Sequence, residues 1–187
     1  MKLTFKHIEK TGCIFLLFFF LFLFCPRQSK AQFYSVQTNG LEWAMGTINV
    51  EGSMLVKPRW TLNLQVACNP WTLSGNRKIK HWLIEPGARY WLWQSYVGRF
   101  VGAYAIATRY NMGWKKNRFD GVGFGLGVSY GHAWLIGKRW NFEAEAGIGA
   151  VIVNRKEYEG GCCGDYKSKG TYLRPAPKLA LGVAYLF

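Results

Sequence analysis

Apolar and polar residues alternate with a period of two along most of the chain from residue 34 onward. The clearest run ends the sequence, and its large members are Leu179, Leu181, Val183, Tyr185 and Phe187. The same alternation recurs at 60–69, 121–130 and 140–152. Successive side chains of a β-strand point to opposite faces, whereas a helix repeats about every 3.6 residues. The spacing therefore predicts strands with one apolar face and one small or polar face.

These runs amount to eight predicted strands, at 34–42, 48–56, 59–70, 81–94, 99–112, 121–136, 139–154 and 172–187. Short links are expected at 57–58, 96–98 and 137–139. Long loops are expected at 71–80, 113–120 and 155–171. Eight strands can close a ring that side chains fill, and alternating short turns and long loops are typical of outer-membrane barrels. The predicted fold is all-β, an eight-stranded antiparallel up-and-down transmembrane β-barrel.

The terminal strand also predicts where the protein lies. Its large residues, from Leu179 to Phe187, are expected to face lipid, and its small residues to face the interior. We predict that this closing strand is the C-terminal barrel-assembly signal, which the barrel-assembly machinery would bind. Aromatic residues near strand ends fit girdles at the membrane surfaces. They are Trp60, Trp71, Trp82, Trp93, Trp114, Trp140 and Tyr185.

Five charged residues fall on the faces that the predicted strands turn inward. They are Glu85, Arg89, Glu143, Glu145 and Lys178. Unpaired charges in an enclosed space are costly, so we expect a polar network inside the barrel that pairs carboxylates with cations. A glycosidase that uses Glu143 and Glu145 as paired carboxylates is an alternative. Their spacing of two residues on one strand face favours filling of the interior.

Four glycines alternate with large residues at 121–127. They follow the period of a strand and no helix comes after them, so they do not indicate nucleotide binding. We expect them to make room for bulky residues of the opposite wall. No cofactor is predicted for this chain.

The N-terminal segment predicts export. Three lysines in the first ten residues precede an apolar run at 13–25, and small residues lie before a cleavage point after Ala31. This order is that of a secretory signal peptide, and the run is shorter than the ~20 residues that a membrane-spanning helix needs. The predicted domains are a signal peptide at 1–31 and a β-barrel at 32–187.

Removal of the signal peptide leaves 19 basic and 9 acidic side chains, a formal charge of +10. Export and the placement of the basic residues in loops argue against nucleic acid as a partner. The expected partners are outer-membrane lipid and lipopolysaccharide, the barrel-assembly machinery, and fimbrial or other surface proteins. The basic residues of the predicted outer loops are Arg77, Lys78, Lys80, Lys115, Lys116, Arg118, Arg155, Lys156, Lys167 and Lys169.

Cysteine is scarce in the exported part, where only Cys68, Cys162 and Cys163 remain. No C-x-x-C motif or histidine cluster accompanies them, so no metal site is predicted. Cys162 and Cys163 are adjacent, which leaves a vicinal disulfide, two free thiols or a metal contact open. Cys68 lies on an apolar strand face, where a packing role is expected.

An enzymatic alternative rests on His81 and His132. Small barrels that modify lipid use a histidine with a serine and a carboxylate, and His81 has Ser74 and Glu85 in its vicinity. The parity of His132 with Tyr130 directs His132 to the lipid face or its border. A surface histidine is the simpler interpretation of both, and no catalytic residue is predicted.

Several motifs resemble one known family. They are Asn-Pro-Trp-Thr at 69–72, Lys-His-Trp at 80–82, Pro-Gly-Ala-Arg-Tyr-Trp at 86–91, and a block at 129–145 that ends in Gly-Lys-Arg-Trp-Asn-Phe-Glu-Ala-Glu. They are similar to a domain-of-unknown-function family of small exported proteins from Gram-negative anaerobes, often encoded near genes for fimbrillin-type pili. The resemblance implies an exported outer-membrane β-barrel and brings no established activity.

The sequence thus predicts a small outer-membrane barrel with a structural or interaction role at the cell surface, which can include an association with fimbriae. It predicts no enzyme. Two alternatives stay open at this point. One is an outer-membrane enzyme that acts on the acyl chains of lipid A, and the other is a soluble periplasmic barrel that binds a small ligand.

Overall fold

The computed structural model describes residues 33–73, 77–114, 117–159 and 166–187. The predicted signal peptide at 1–31 lies outside these ranges, as do Ser74, Cys162 and Cys163. Cys68 lies within them and is a free, exposed thiol.

The described residues form nine strands and one short helix. The strands are β1 (Tyr34–Asn39), β2 (Ile48–Lys57), β3 (Trp60–Asn69), β4 (Thr72–Leu73), β5 (Arg77–Trp91), β6 (Gly98–Trp114), β7 (Asn117–Leu135), β8 (Trp140–Glu159) and β9 (Tyr166–Leu186). The helix α1 spans Gly40–Ala44. The fold of the described part is therefore all-β, as predicted.

Eight of these strands close into a single ring. Each strand pairs with the next along the chain, β3 pairs with β5, and β1 pairs with β9, all antiparallel. The short β4 stands outside the ring and pairs with β5. The prediction of eight antiparallel strands is confirmed. We call the end with the links at 58–59, 92–97 and 136–139 the turn end, and the opposite end the loop end.

Polar residues line the interior of the ring, and large apolar residues cover its outer face. In β3, burial alternates without a break, with Thr61, Asn63 and Gln65 buried. The exposed large residues on the outer face include Trp60, Leu62, Leu64, Val66, Phe124, Leu126, Val128, Ile148, Ile152, Leu173, Leu179, Leu181 and Val183. The alternation predicted for 60–69, 121–130, 140–152 and the terminal strand is confirmed.

The predicted end of the first strand is wrong, because β1 stops at Asn39 rather than at residue 42. The Asn39 side chain caps α1 by accepting from the Leu41 N–H at 3.1 Å. The same amide accepts from the Leu181 N–H at 3.1 Å and donates to the Leu179 carbonyl at 3.3 Å. Asn39 therefore replaces one further step of backbone pairing with β9.

The long loops predicted at the other end are also wrong in extent. β6 and β7 remain paired as far as Trp114 and Asn117, and β8 and β9 as far as Tyr158 and Tyr166. Beyond the apolar part of these strands, charged, polar and aromatic residues follow one another without a period of two, while the backbone pairing continues. Three short links are found at 58–59, 92–97 and 136–139. The first and third lie close to their predicted positions, whereas the second starts earlier than predicted because β5 ends at Trp91 and not at residue 94.

An apolar cluster fills the interior at the turn end. It consists of Trp91, Tyr96, Phe100, Ala133 and Leu186, with Leu55 against it. Tyr96 has a φ of 66°, which packing must hold because non-glycine residues rarely adopt it. Burial raises the pKa of Tyr96 to about 12. The Asn141 side chain donates to the Tyr96 carbonyl and thereby fixes this turn at the end of the ring of strands.

The glycines of β7 leave room for side chains of the two adjacent strands, and not for residues of the opposite wall as predicted. Gly123 and Gly125 face Val151 of β8, and others face aromatic rings of β6. Gly127 pairs with Tyr104, and Gly131 with Phe100. A Cβ atom on either glycine would overlap the partner's ring. Direct cross-strand partners are the closest side-chain neighbours in a sheet, and this proximity explains the correction.

Candidate functional site

The five charged residues predicted for the interior lie together in one buried network, and Glu51 joins them. We call this set the interior network: Glu51, Glu85, Arg89, Glu143, Glu145 and Lys178. Its members come from β2, β5, β8 and β9, and each is on the inward face of its strand because its two neighbours point outward. The network therefore connects four strands of the ring through its interior.

Arg89 is the central cation. Its Nη1 atom lies 2.8 Å from a Glu51 oxygen and 3.4 Å from Glu143 Oε2. Its Nη2 atom lies 2.6 Å from Glu145 Oε2. One guanidinium thus binds three carboxylates from two strands, which uses the planar fork of donors that distinguishes arginine from lysine.

Lys178 is the second cation. Its Nζ atom lies 2.5 Å from Glu85 Oε1 and 3.4 Å from Glu145 Oε1. Glu145 therefore contacts both cations and links the two halves of the network. The buried set contains four carboxylates and two cations.

An aromatic ring lies against each of the two cations of the interior network. The Arg89 guanidinium lies 4.8 Å from the centre of the Phe100 ring, and the Lys178 ammonium lies 4.7 Å from the centre of the Tyr104 ring. Tyr104 belongs to a second apolar cluster with Ile106, Val151 and Val153. These contacts exclude water from the ion pairs and strengthen them, since screening is weak away from solvent.

Sequence reasoning missed Glu51, although a signal for it exists. Gly52 interrupts the run at 48–56, which made the face of this strand uncertain. The alternation of Ile48, Val50 and Met54 nevertheless places odd-numbered positions inward, and Glu51 is buried accordingly.

The network geometry has a bearing on the glycosidase alternative. Glu143 and Glu145 both bind the same arginine inside the ring and are buried. A glycosidase needs its two carboxyl groups on opposite sides of a bond in an accessible cleft. The arrangement seen here pairs charges and connects strands.

The structure does not bring His81 and Glu85 together as a catalytic pair. His81 and Glu85 are four residues apart on β5, which separates them by about 13 Å along the strand. His81 Nε2 lies 3.5 Å from Thr47 Oγ1, and Ser74 is not among the described residues. His132 points outward as predicted, with its ring 4.4 Å from that of Trp134. No group of three or more potential metal ligands occurs among the described residues.

The residues of the predicted assembly signal occupy the outer face of β9 and the residue that follows it. Leu179, Leu181, Val183 and Phe187 are exposed. Tyr185 is half-buried, with its ring 5.0 Å from Trp140 and 5.1 Å from Phe187. The structure thus presents this stripe on the outside of the closed ring.

These features define a closed ring of antiparallel strands with a charged interior and an apolar exterior. The chain belongs to the family described as "Protein of unknown function (DUF3575)", whose model matches residues 16–187. This confirms membership of a domain-of-unknown-function family. No curated protein and no solved structure matches the chain. Within the described residues, no helix is long and apolar enough to cross a membrane.

Proposed function

We propose that the protein is a small β-barrel of the Gram-negative outer membrane, with a structural or interaction role at the cell surface. Its signal peptide at 1–31 directs export, and the barrel-assembly machinery inserts the remainder. One observation carries this proposal: the outer face of the ring is apolar, while the polar and charged side chains face inward. Lipid is the solvent that favours this arrangement.

The height of the apolar surface supports this location. On the outer face of β6, Arg99 and Arg109 enclose an uncharged stretch from Val101 to Ala107. The ten residue steps from Arg99 to Arg109 extend about 33 Å along the strand, and a tilt of about 40° reduces this distance to a height of roughly 25 Å. That is the height of the apolar band of outer-membrane barrels.

Aromatic pairs at the turn end are a second support. The ring centres of Trp60 and Tyr90 lie 5.1 Å apart, and those of Trp134 and Phe142 lie 5.7 Å apart. Such rings favour the boundary between hydrocarbon and headgroups, where their apolar bodies meet lipid and their polar atoms meet water. We place the turn end at the periplasmic surface, because short turns lie there in such barrels.

The soluble ligand-binding alternative requires the opposite distribution of side chains. A barrel that carries a small ligand in water needs an apolar cavity and a polar exterior. Here the centre of the interior is occupied by the ion pairs of Arg89 and Lys178, and its turn end is filled by the cluster around Trp91. The proposed role is therefore not that of a soluble ligand-binding barrel.

The interaction surface in this proposal is formed by the long hairpins β6–β7 and β8–β9. β9 pairs with β1 only through Gly182–Leu186, so most of β9 extends beyond β1 toward the loop end. Arg155 there lies over the rings of Phe119 and Tyr172, at 4.6 and 5.1 Å. Arg155 is half-buried and also pairs with Glu157 at 3.8 Å, whereas Arg174 is exposed and lies 6.0 Å from the Tyr172 ring. Cations held on aromatic rings in this way suit anionic lipopolysaccharide and the acidic surfaces of fimbrial or other surface proteins.

Fractionation of cells tests the proposal. We expect the mature chain in the outer-membrane fraction, where it resists carbonate extraction and changes its gel mobility on heating. A closed barrel stays folded in detergent until heated, so the mobility change reports folding as well as location. Recovery of the mature chain in the soluble periplasmic fraction would contradict the proposal.

A further inference from the structure

A cavity of about 490 Å³ lies on the outer face at the turn end. It opens between the 92–97 turn and the adjoining ends of β6 and β7, and its walls include Leu92, Trp93, Arg99, His132, Trp134 and Leu135. The interior network does not use this cavity. It lies at the boundary where the proposed membrane surface meets the aromatic side chains.

Two nitrogen-rich side chains meet at this cavity. Arg99 and His132 are direct partners across the β6–β7 pairing, and both point outward. Cβ atoms of direct partners are about 5 Å apart, so the guanidinium and the imidazole can reach one oxyanion together. Guanidinium and imidazole N–H groups are the donors that bind phosphate oxygens.

The rest of the cavity is suited to an amphiphile. Trp93 is 78% exposed, and the centre of the Trp134 ring lies 4.4 Å from that of the His132 ring. Leu92 and Leu135 are exposed beside them. A purely ionic ligand does not need two tryptophans and two leucines around its charge, whereas a lipid headgroup at the hydrocarbon boundary does.

The charge of the turn end selects an anion. Its outer surface carries five cations, Lys57, Arg59, Arg99, Lys138 and Arg139. No aspartate or glutamate side chain lies on this surface among the described residues. Attraction of an anionic headgroup follows from this imbalance.

A track of small residues leads from the cavity along β6. Ala103, Ala105 and Ala107 form it. On β7 their direct partners are the exposed Val128, Leu126 and Phe124, which form a ridge beside the track. From Val101 to Ala107 the track is about 20 Å long, enough for one extended acyl chain.

We propose that this cavity binds the phosphate-bearing headgroup of an anionic glycerophospholipid, with one acyl chain lying along the alanine track. The site rests on the proposed membrane location, and it belongs to the leaflet at the turn end. Arg99 and His132 bind the phosphate, and the tryptophans hold the glycerol region at the interface.

Native mass spectrometry of the detergent-extracted barrel tests this site, with added phosphatidylglycerol and phosphatidylcholine as probes. We expect the unchanged protein to retain phosphatidylglycerol selectively, and R99Q/H132Q to reduce that adduct at least tenfold. The matched control is Arg109→Gln, which removes a cation from the same face of β6 at the other boundary and should leave the adduct unchanged. Equal retention by the double variant and the control would overturn the site.

The alanine track has its own variant, Ala105→Phe, which fills the track and leaves both cations in place. It should weaken the long-chain phosphatidylglycerol adduct but not that of a short-chain analogue. It also supplies the comparison if R99Q/H132Q does not insert. Preference for added lipopolysaccharide over phosphatidylglycerol would overturn the assignment.

Heat-modifiability of each variant separates the two proposals. Failure of the unchanged protein to insert contradicts the membrane location. An inserted barrel that retains both phospholipids equally contradicts only this site.

Discussion

Arg89 contacts three carboxylates that reach it from opposite parts of the chain. Glu51 comes from β2, and Glu143 and Glu145 come from β8. Without the guanidinium these carboxylates would face one another in a space that water does not screen. The ring at this level is therefore held by attraction to one residue, in addition to its backbone pairing.

Replacement of Arg89 tests this dependence. Arg89→Gln should lower the free energy of unfolding by about 3–5 kcal/mol, because removal of one partner leaves buried charges uncompensated. Urea unfolding in lipid vesicles, followed by tryptophan fluorescence, measures the change. Arg109→Gln, an exposed arginine on the outer face, should change it little. Addition of Glu145→Gln to Arg89→Gln should recover part of the loss, and an Arg89→Gln midpoint equal to that of the control would contradict the argument.

Strands in this protein can be predicted from the sequence where one face of the strand is apolar and the other is not. The run at 60–69 and the terminal strand were predicted correctly because every second residue is large and apolar. The hairpin ends near Trp114 and Tyr158 were not, since charged, polar and aromatic residues there do not alternate and only backbone bonds mark the strand. Ion pairs between Arg89 and β8 were expected from parity, but their distances depend on closure of the ring.

The exposed edge of β9 is protected by its own sequence. Leu181 N–H and Leu179 C=O point toward β1. Because the backbone direction alternates, Pro175 and Pro177 occupy positions whose N–H groups would point the same way. Proline has no N–H, so this edge cannot readily accept another strand. A surface partner is therefore expected to contact side chains of the hairpins and not to extend the sheet.

The pairing of β6 with β7 depends on glycine beneath an aromatic ring, and Gly127→Ala tests it. The new Cβ would overlap the Tyr104 ring, so we expect a loss of about 1–3 kcal/mol in unfolding free energy. Gly52→Ala is the control, because no atom lies within 4 Å of a Cβ there. Both are measured by urea unfolding. Tyr104→Leu should make Gly127→Ala less costly, and additive effects would count against the contact.

In the described ring, the distribution of side chains is the reverse of that in a water-soluble domain. Six charged side chains lie at the centre, around Arg89 and Lys178, and apolar side chains are directed outward on the long strands. The apolar cluster around Trp91 fills the turn end, so the interior supports the wall. The protein itself does not cover its apolar outer face, so the stability of the ring depends on the solvent that surrounds this face.

Substitution of a residue in the middle of the outer face by arginine tests whether lipid or water surrounds this face. Leu126 is 72% exposed and pairs with Ala105, midway between Arg99 and Arg109. In a membrane, Leu126→Arg should cost about 2–4 kcal/mol, because the charge lies near the bilayer midplane. In water the same exposed substitution should stay within about 0.5 kcal/mol.

The matched control is Asn111→Arg. Asn111 lies on the outer face of β6 beyond the apolar stretch, and its cross-strand partners are Lys80 and Asp120. Its cost should be below about 1 kcal/mol, since it lies near the membrane surface. Urea unfolding from vesicles of both variants gives the comparison. Equal costs for Leu126→Arg and Asn111→Arg would show that depth in a bilayer has no influence, and the outer face would then need another covering.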